Sequence, residues 1–379
     1  MRGAIEQARS RPLGNSAHRA REIDGGLESP VKFVSFEAGC RSSVVTMEST
    51  SATIASERAT VDSAIYRALC GGAAWRALED RIVIRVSGDD RISFLHGMCS
   101  NDVRGMRAGE LAPALLLTER AHVVAELFIY AEPDAFLFEI GRELWPRAHA
   151  HLERFLVADD VEFEELADWA LLDIEGPRAG EVIARVAPEA AGLQAWRWVA
   201  AGALTIAALP RYDWPAITVL GARDQLANLA DALRDRAPEA PQADAASCET
   251  LRIERGIARV GVDTGDKTLA LEARLERAIS LSKGCYLGQE TLERATAHGS
   301  LKKKLYGLRM DAGPPPSIGA AVMLAGHELG TITSAADSPA MGALGLGIIH
   351  HSAWTPGTAV VIKDSAGERP ATVSDLPFK

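Results

Sequence analysis

The stretch K-G-C-Y-L-G-Q-E, which starts at Lys283, sets a single cysteine between two glycines. The Lys283 ammonium lies two positions before Cys285, and a nearby cation lowers the pKa of a thiol below its free value of about 8.5. Gly284 and Gly288 permit positive φ and the close approach of a ligand or another backbone. A helix beginning around Gly288–Glu290 would add its positive dipole end. The stretch leaves two interpretations: a small buried residue that fills a tight turn, which these residues alone favour, and a reactive, partly exposed thiol.

The composition is that of a globular protein with two or three domains: 379 residues, 47% hydrophobic and 24% charged. The formal net charge of −10 disfavours direct nucleic-acid binding, because phosphate contacts need a basic surface. The five cysteines are scattered, without a C-x-x-C pair or a zinc-ligand spacing. We therefore expect no metal site, and a reducing cytoplasmic compartment. No apolar run is long enough to span a bilayer, so we expect no membrane partner.

The N-terminal region differs from the rest of the chain. Residues 1–46 lack sustained apolar periodicity and are rich in Arg, Ser, Gly and Ala, which is typical of disorder. Sequence that resembles a folded domain begins only after Met47, and our hypothesis is that Met47 is the native start. We expect three regions: a disordered extension at 1–60, a domain of two α+β units at 61–300, and a β-barrel domain at 301–379.

Helical and strand patterns alternate through the middle region. The run RIVIRV, from Arg81, places Ile82, Ile84 and Val86 on one face, as in a half-buried strand. Strands are also predicted at LAPALLL, HVVAELFIY and AFLFEI, and helices at RISFLHGMCSNDV and LWPRAHAHLERFLVADD. A second round has strands at VEFEE, ALLDI, ALTIAAL and AITVL, a helix opening at Pro177, and the helix ARDQLANLADALRD. This pattern indicates an α+β fold with two similar units, each an antiparallel sheet with helices on one face.

The C-terminal region is all β. After the linker DAGPPPSIGA, the runs AAVML, ELGTITSA, ALGLGIIH, TAVVIK and PATVS are separated by turn residues, which favours a small β-barrel. Three lysines, Lys302–Lys304, precede it. They could contact phosphate, but on an acidic chain we interpret them as a solvated strand edge that blocks aggregation.

The motif K-G-C-Y-x-G-Q-E resembles the signature of the YgfZ family, folate-binding relatives of the T-protein of the glycine cleavage system. Other stretches agree: RIERGIARVGVD from Arg252, LEARL from Leu271, ERATAHGSLKKKL from Glu293, and IRVSGDDRISFLHGMCSNDV from Ile84. LGTITSA in the expected barrel also fits. The resemblance extends from about residue 61 to the end, and the octapeptide is its most specific part.

The resemblance implies two ferredoxin-like α+β units and a barrel around a central channel that holds tetrahydrofolate or a folate derivative. Members similar to YgfZ support iron–sulfur cluster assembly or repair, and they affect tRNA modification through a cluster enzyme. The resemblance therefore implies iron–sulfur client proteins as partners, with Cys285 and Lys283 as the chemically active residues. It also implies folate contacts from the rest of the loop: Gly284, Tyr286, Gly288, Gln289 and Glu290.

This chain departs from the T-protein pattern at two positions that matter for catalysis. T-proteins have Lys-Gly-Asp where this chain has Cys285, and they have an Asp-Asp pair where this chain has Ala125 and Glu126. A carboxylate there would position the reactive part of the folate and steer protons. Glu126 is the candidate replacement; the alternative is a solvated strand glutamate.

A third departure concerns the turn that contacts the pterin ring in T-proteins. The comparable turn here is PRYDWPAITV. Asp213 could accept hydrogen bonds from the donor-rich pterin edge, and Trp214 could stack on its face; alternatively, Trp214 packs on the sheet. Arg252 could meet the anionic tail of folate or the cysteine, or it could be a solvated helix residue.

Two functions remain open from the sequence. The first is a tetrahydrofolate-binding accessory factor for iron–sulfur proteins, in which Cys285 is the functional thiol. The second is a tetrahydrofolate-dependent aminomethyltransferase-type enzyme, in which Glu126 replaces the usual aspartate. The cysteine in place of aspartate and the missing Asp-Asp pair favour the first.

Overall fold

Residues 61–297 and 301–379 are described by this computed structural model. The disordered extension expected at 1–60 and the start proposed at Met47 lie outside the described residues. The first elements are α1 (Ser63–Gly71), β1 (Ala74–Ala77), β2 (Arg81–Ser87), α2 (Arg91–Met98), β3 (Leu111–Leu117), β4 (Val123–Ala131), β5 (Phe136–Gly141), α3 (Trp145–Glu153), β6 (Glu162–Glu165) and β7 (Trp169–Glu175).

The second α+β unit and the barrel follow. Their elements are α4 (Ala179–Val186), β8 (Arg197–Ala201), β9 (Leu204–Ala208), β10 (Ala216–Ala222), α5 (Arg223–Arg236), α6 (Ala245–Glu254), α7 (Gln289–Ala297), β11 (Lys303–Met310), β12 (Ala321–Leu324), β13 (His327–Ser338), β14 (Gly342–His350), β15 (Ala359–Asp364) and β16 (Gly367–Ser374).

The first sheet is antiparallel and has the order β3-β4-β5-β2-β6. The strand predicted at RIVIRV is β2, and its alternating residues Ile82, Ile84 and Val86 are buried as expected. They belong to a core that also contains Leu95 of α2 and Leu152 of α3. The two helices therefore cover one face of this sheet.

The second sheet is also antiparallel and has the order β1-β7-β10-β9-β8. Helices α4 and α5 cover its outer face through a core that includes Val182 and Leu233. The two units exchange edge strands. The VEFEE strand, predicted in the second unit, is β6 and pairs with β2 of the first sheet, while β1 pairs with β7 of the second. Short edge strands carry too little pattern to specify their sheet.

The inner faces of the two sheets pack against each other. One apolar cluster combines residues of the first sheet, such as Phe128 and Tyr130, with residues of the second, such as Leu171 and Leu220. The layers are therefore helices, sheet, sheet, helices, and the expected pair of α+β units is confirmed.

The expected C-terminal barrel is also confirmed. It is closed, with six strands in the order β11-β14-β13-β12-β15-β16. The chain between α6 and the barrel, described over residues 255–297 and 301–302, has little regular structure apart from α7. It packs in a core with Leu115 and Leu117 of β3 and with Leu305 and Leu346 of the barrel. This segment carries the cysteine loop and joins the barrel to the first sheet. No helix in the described part of the chain is long and apolar enough to cross a bilayer.

Candidate functional site

The cysteine loop lies on the C-terminal end of α2. The Lys283 side chain is buried, and its Nζ donates to the carbonyl oxygens of His96, Cys99 and Asn101 at 2.6, 2.5 and 3.0 Å. These bonds satisfy carbonyls that a helix end leaves open. They also use all three N–H groups of the ammonium, so none remains for the Cys285 thiol. The role of Lys283 in activating the Cys285 thiol therefore stays a prediction. It would depend on the positive charge of the ammonium and not on a hydrogen bond to the sulfur.

The two loop glycines are needed for different reasons. Gly288 has φ +87°, and a Cβ there would lie 2.6 Å from the Thr118 carbonyl oxygen, so both the positive φ and the close backbone approach are confirmed. Gly284 has ordinary φ; a Cβ there would lie 3.4 Å from Nε2 of His96. Helix α7 begins at Gln289, as the motif predicted.

Cys285 is exposed, so the alternative of a buried turn filler is wrong. Cys99 and Cys248 are buried, and burial raises the pKa of each to about 12. Cys70 is half-buried, and burial raises its pKa as well. Cys285 is thus the exposed thiol among the cysteines that the structure describes.

The other loop residues mainly support this backbone. Tyr286 is buried beneath the Lys283 ammonium, whose Nζ is 4.9 Å from the ring centroid, and burial raises its pKa to about 12. Gln289 accepts from the Tyr286 N–H through Oε1 at 3.3 Å and donates to Glu293 through Nε2 at 2.7 Å. Glu290 is exposed and pairs with Arg294 on the next helical turn. Folate contacts from these residues remain predictions.

Glu126 and Asp213 meet at a residue that the sequence did not single out, Arg277. Its Nη2 donates to Glu126 Oε1 at 3.2 Å, and its Nη1 is 3.6 Å from Asp213 Oδ1. The Glu126 side chain is only 12% exposed, so its interpretation as a solvated strand residue is wrong. Asp213 has φ +50° and a largely exposed carboxylate. The cluster of these three residues, the Arg277 cluster, brings both α+β units to the segment that carries the cysteine loop.

Beneath the Arg277 cluster lies a buried network of charges. Arg277 Nη1 donates to the Arg211 carbonyl oxygen at 2.6 Å. The Arg211 guanidinium lies 2.6 Å from Glu139 Oε1 in the first sheet and 2.9 Å from Asp173 Oδ2 in the second. Arg211 therefore joins the two sheets across their packed faces, with both carboxylates fully buried.

The Glu175 carboxylate of this region has one oxygen atom with a hydrogen-bond partner and one without among the described residues. Glu175 Oε1 accepts from Arg76 Nε at 3.2 Å, and Arg76 Nη2 donates to the Tyr212 hydroxyl at 3.2 Å. Glu175 Oε2 is buried and has no hydrogen-bond partner among the described residues. Burial raises the Glu175 pKa.

Trp214 and Arg252 are held by protein contacts. Trp214 Nε1 donates to the Leu69 carbonyl oxygen at 3.1 Å, and the Arg255 guanidinium lies 3.5 Å from its ring centroid, so that ring face is not open to a pterin.

Arg252 is fully buried, so its interpretation as a solvated residue is wrong. All five of its N–H groups are used by residues of α6, the following loop and the barrel: Glu249, Ile257, Asp263 and Ser334. None remains for a ligand tail. The geometry makes Arg252 a structural link to the barrel.

The sequence could not predict the Arg277 cluster, because Glu126 and Arg277 are 151 residues apart in the chain. Within LEARLERAIS, Arg277 is one of two arginines with no local pattern that separates them. One signal was present in the sequence: Glu126 is an acidic residue within an otherwise apolar strand. A buried carboxylate usually has a cationic partner, so a Lys or Arg was to be expected nearby.

Comparison with known proteins agrees with this architecture. A model of the GCVT N-terminal domain matches residues 67–212, and a model of the glycine cleavage T-protein C-terminal barrel domain matches residues 303–379. The aminomethyltransferase of Rubrobacter xylanophilus is 28% identical over 312 residues, 77% of this chain and 79% of that protein. The tRNA-modifying protein YgfZ of Serratia proteamaculans is 25% identical over 313 residues, 80% of this chain and 91% of that protein.

The fold has a solved counterpart. The glycine cleavage system aminomethyltransferase T of Bartonella henselae superposes with a TM-score of 0.76 at 20% identity, over 83% of this chain and 88% of that one. The two matched family domains together cover more than half of the chain, and the layered sheets and the closed barrel agree with them. The chain therefore belongs to the T-protein-like family, which includes both aminomethyltransferases and YgfZ proteins.

Proposed function

We propose that the protein is a cytoplasmic, tetrahydrofolate-binding accessory factor of the YgfZ type. It supports iron–sulfur cluster assembly or repair in client proteins, and through them tRNA modification. The observation that carries the proposal is the exposed thiol of Cys285, at the position where the resemblance predicts an aspartate in T-proteins. Its loop is held by the buried Lys283 and by Gly288 at positive φ. A loop this constrained fixes its exposed residue in place, which a working thiol requires.

The polar groups near the Arg277 cluster fit a reduced folate. The pterin edge is rich in donors and needs carboxylate acceptors. Asp213 offers a largely exposed carboxylate, and Glu175 has a buried oxygen with no partner among the described residues. Arg277 and Arg76 balance the negative charge of Glu126 and Glu175. Tetrahydrofolate, when bound, would supply a carrier for one-carbon units.

The second candidate is an aminomethyltransferase-type enzyme, which the Rubrobacter relative favours. In that case Glu126 would have to act on the folate as the acidic residue. The contact with Arg277 opposes this role, because the guanidinium already occupies Glu126 Oε1 with a hydrogen bond. We therefore favour the accessory factor.

The deciding experiment is a titration of the purified protein with tetrahydrofolate, followed by addition of an aminomethylated lipoyl donor. We expect binding with no formation of methylene-tetrahydrofolate. Turnover that disappears in Glu126→Gln would establish the transferase instead. Failure to bind tetrahydrofolate at all would reject both candidates.

The role of the thiol is tested separately in a deletion strain. We expect Cys285→Ala to fold normally and to fail to restore the activity of a cluster-dependent enzyme. The matched control is Cys70→Ala, which removes a half-buried thiol from α1 and should restore activity fully. Full rescue by Cys285→Ala would show that the thiol is dispensable.

A further inference from the structure

The three lysines Lys302–Lys304 do not protect a strand edge. Strand β11 lies between β14 and β16 in the closed barrel. Ahead of the pairing with β16, the N–H of Leu305 donates to the Glu272 carbonyl oxygen at 2.7 Å. The interpretation of these lysines as a solvated edge is therefore wrong, and they need another explanation. Lys304 has one, because its Nζ pairs with Glu276 at 3.4 Å.

The other two lysines lie beside two histidines. Lys303 is directly opposite His350 on β14, so both side chains project from the same face of the barrel wall. The His351 N–H donates to the Lys302 carbonyl oxygen at 2.9 Å, and the ring centroids of His350 and His351 are 4.1 Å apart. Three of these side chains are exposed, and His350 is partly buried. We name this group the barrel cation patch: Lys302, Lys303, His350 and His351.

No carboxylate pairs with the barrel cation patch in the described part of the chain. None of its four members forms an ion pair there, whereas Lys304 and Lys363 of the same barrel do. Partial burial lowers the pKa of His350, and its three neighbours in the patch lower it further. Like charges directly opposite each other on neighbouring strands are destabilising. A bound anion would remove this repulsion.

The patch offers hydrogen-bond donors as well as positive charge. Nδ1 of His350 accepts from the Ser352 N–H at 3.4 Å, which places the proton of the neutral ring on Nε2. This Nε2–H has no hydrogen-bond partner among the described residues. The two ammonium groups add three N–H donors each. Several donors around a positive centre match a phosphate group, whose oxygens are strong acceptors and which lysine commonly binds as a point charge.

We propose that the barrel cation patch binds a phosphate group carried by a small molecule. A polynucleotide fits less well, because single strands bind through open aromatic faces. Here Trp354 stacks on Tyr306 with centroids 6.0 Å apart, and the Arg274 guanidinium lies 4.6 Å from the Tyr306 centroid. The net charge of −10 also opposes a long phosphate backbone beyond the patch. The inference goes beyond the proposed function and does not depend on Cys285.

The test is a titration of the purified full chain with inorganic phosphate at about pH 7 and constant ionic strength, followed by NMR of the histidine ring Cε1–H groups. The signals of His350 and His351 are identified by their loss in His350→Gln and His351→Gln. We expect these two signals to move in a saturable way. The signal of His151, which lies in α3, should stay in place.

Two lysine variants measure the contribution of the charges. Lys302→Gln combined with Lys303→Gln should weaken phosphate binding by about tenfold, because each exposed charge contributes up to about fivefold in affinity. The matched control is Lys363→Gln, which removes a barrel lysine that is paired with Glu368 at 3.3 Å. It should leave the affinity for phosphate unchanged.

Sodium chloride titrated alone to the same ionic strength should not reproduce the shifts. If it does, or if the double lysine variant binds phosphate as tightly as wild type, the proposal is overturned. Glycerol 3-phosphate should bind about as tightly as inorganic phosphate, which would support a phosphate carried by a small molecule. A single-stranded RNA oligonucleotide that binds through the same lysines far more tightly than either would overturn that assignment and make the patch a nucleic-acid contact.

Discussion

Arg277 donates to Glu126 at 3.2 Å, and this contact ties strand β4 to the segment that carries the cysteine loop. Both side chains are largely buried, at 17% and 12% exposure. The pair lies where the resemblance to T-proteins predicts a catalytic acidic group. It therefore bears on stability and on function together.

Replacing Arg277 by methionine should lower the free energy of unfolding by about 3 kcal/mol, because Glu126 and the Arg211 carbonyl lose their partner in a buried site. Urea unfolding measures the change. Adding Glu126→Gln should restore part of it, with a coupling of about 1–3 kcal/mol. Arg185→Met, which breaks an exposed pair with Glu239, is the control and should change the free energy of unfolding much less. Strict additivity of the two changes would show that the pair is not coupled.

Gly288→Ala should destabilise the protein by about 3 kcal/mol, because the methyl group meets the Thr118 carbonyl and φ is positive. Gly326 has a similar φ of +82° but no atom within 4 Å of the added methyl. Gly326→Ala should therefore cost only the conformational strain, about 1–2 kcal/mol. Equal losses in the two variants, measured by chemical denaturation, would contradict the close packing of the loop on the Thr118 turn.

Glu175→Gln should stabilise the protein relative to wild type more at about pH 7 than at about pH 4. Burial raises the folded-state pKa of Glu175 above its ordinary value of 4.5, so the unfolded chain ionises first as pH rises. Wild type therefore loses stability as pH rises through the folded pKa, and glutamine does not. The measurement is the difference in unfolding free energy across this range. A flat difference for Glu175→Gln would refute the assignment.

Arg252→Lys should cost about 3 kcal/mol in unfolding free energy, because an ammonium has three N–H groups and the guanidinium uses five. At least two of its acceptors at the barrel junction then lose a donor. Arg236→Lys, at the exposed end of α5, is the matched control and should change stability by less than about 0.5 kcal/mol. A loss for Arg252→Lys as small as that of the control would mean that the junction does not depend on this residue.

The sequence by itself determined most of the strands and helices and the cysteine motif. Alternation in RIVIRV specified β2, the turn-separated runs specified the closed barrel, and the two glycines around Cys285 indicated an unusual backbone, which Gly288 has. These signals are local: side-chain period, turn residues and conformational freedom act over a few positions. The octapeptide also indicates the T-protein-like family from the sequence alone.

The tertiary structure alone decided which distant groups meet. It placed β6 in the first sheet, turned Lys283 onto the end of α2, buried Arg252 against the barrel, and joined Glu126 to Arg277. Each of these contacts links segments far apart in the chain or depends on the rotamer that a long side chain adopts. Pairing of distant charges leaves no periodic trace in one sequence, because the partner is chosen by the packing of sheets and not by spacing along the chain.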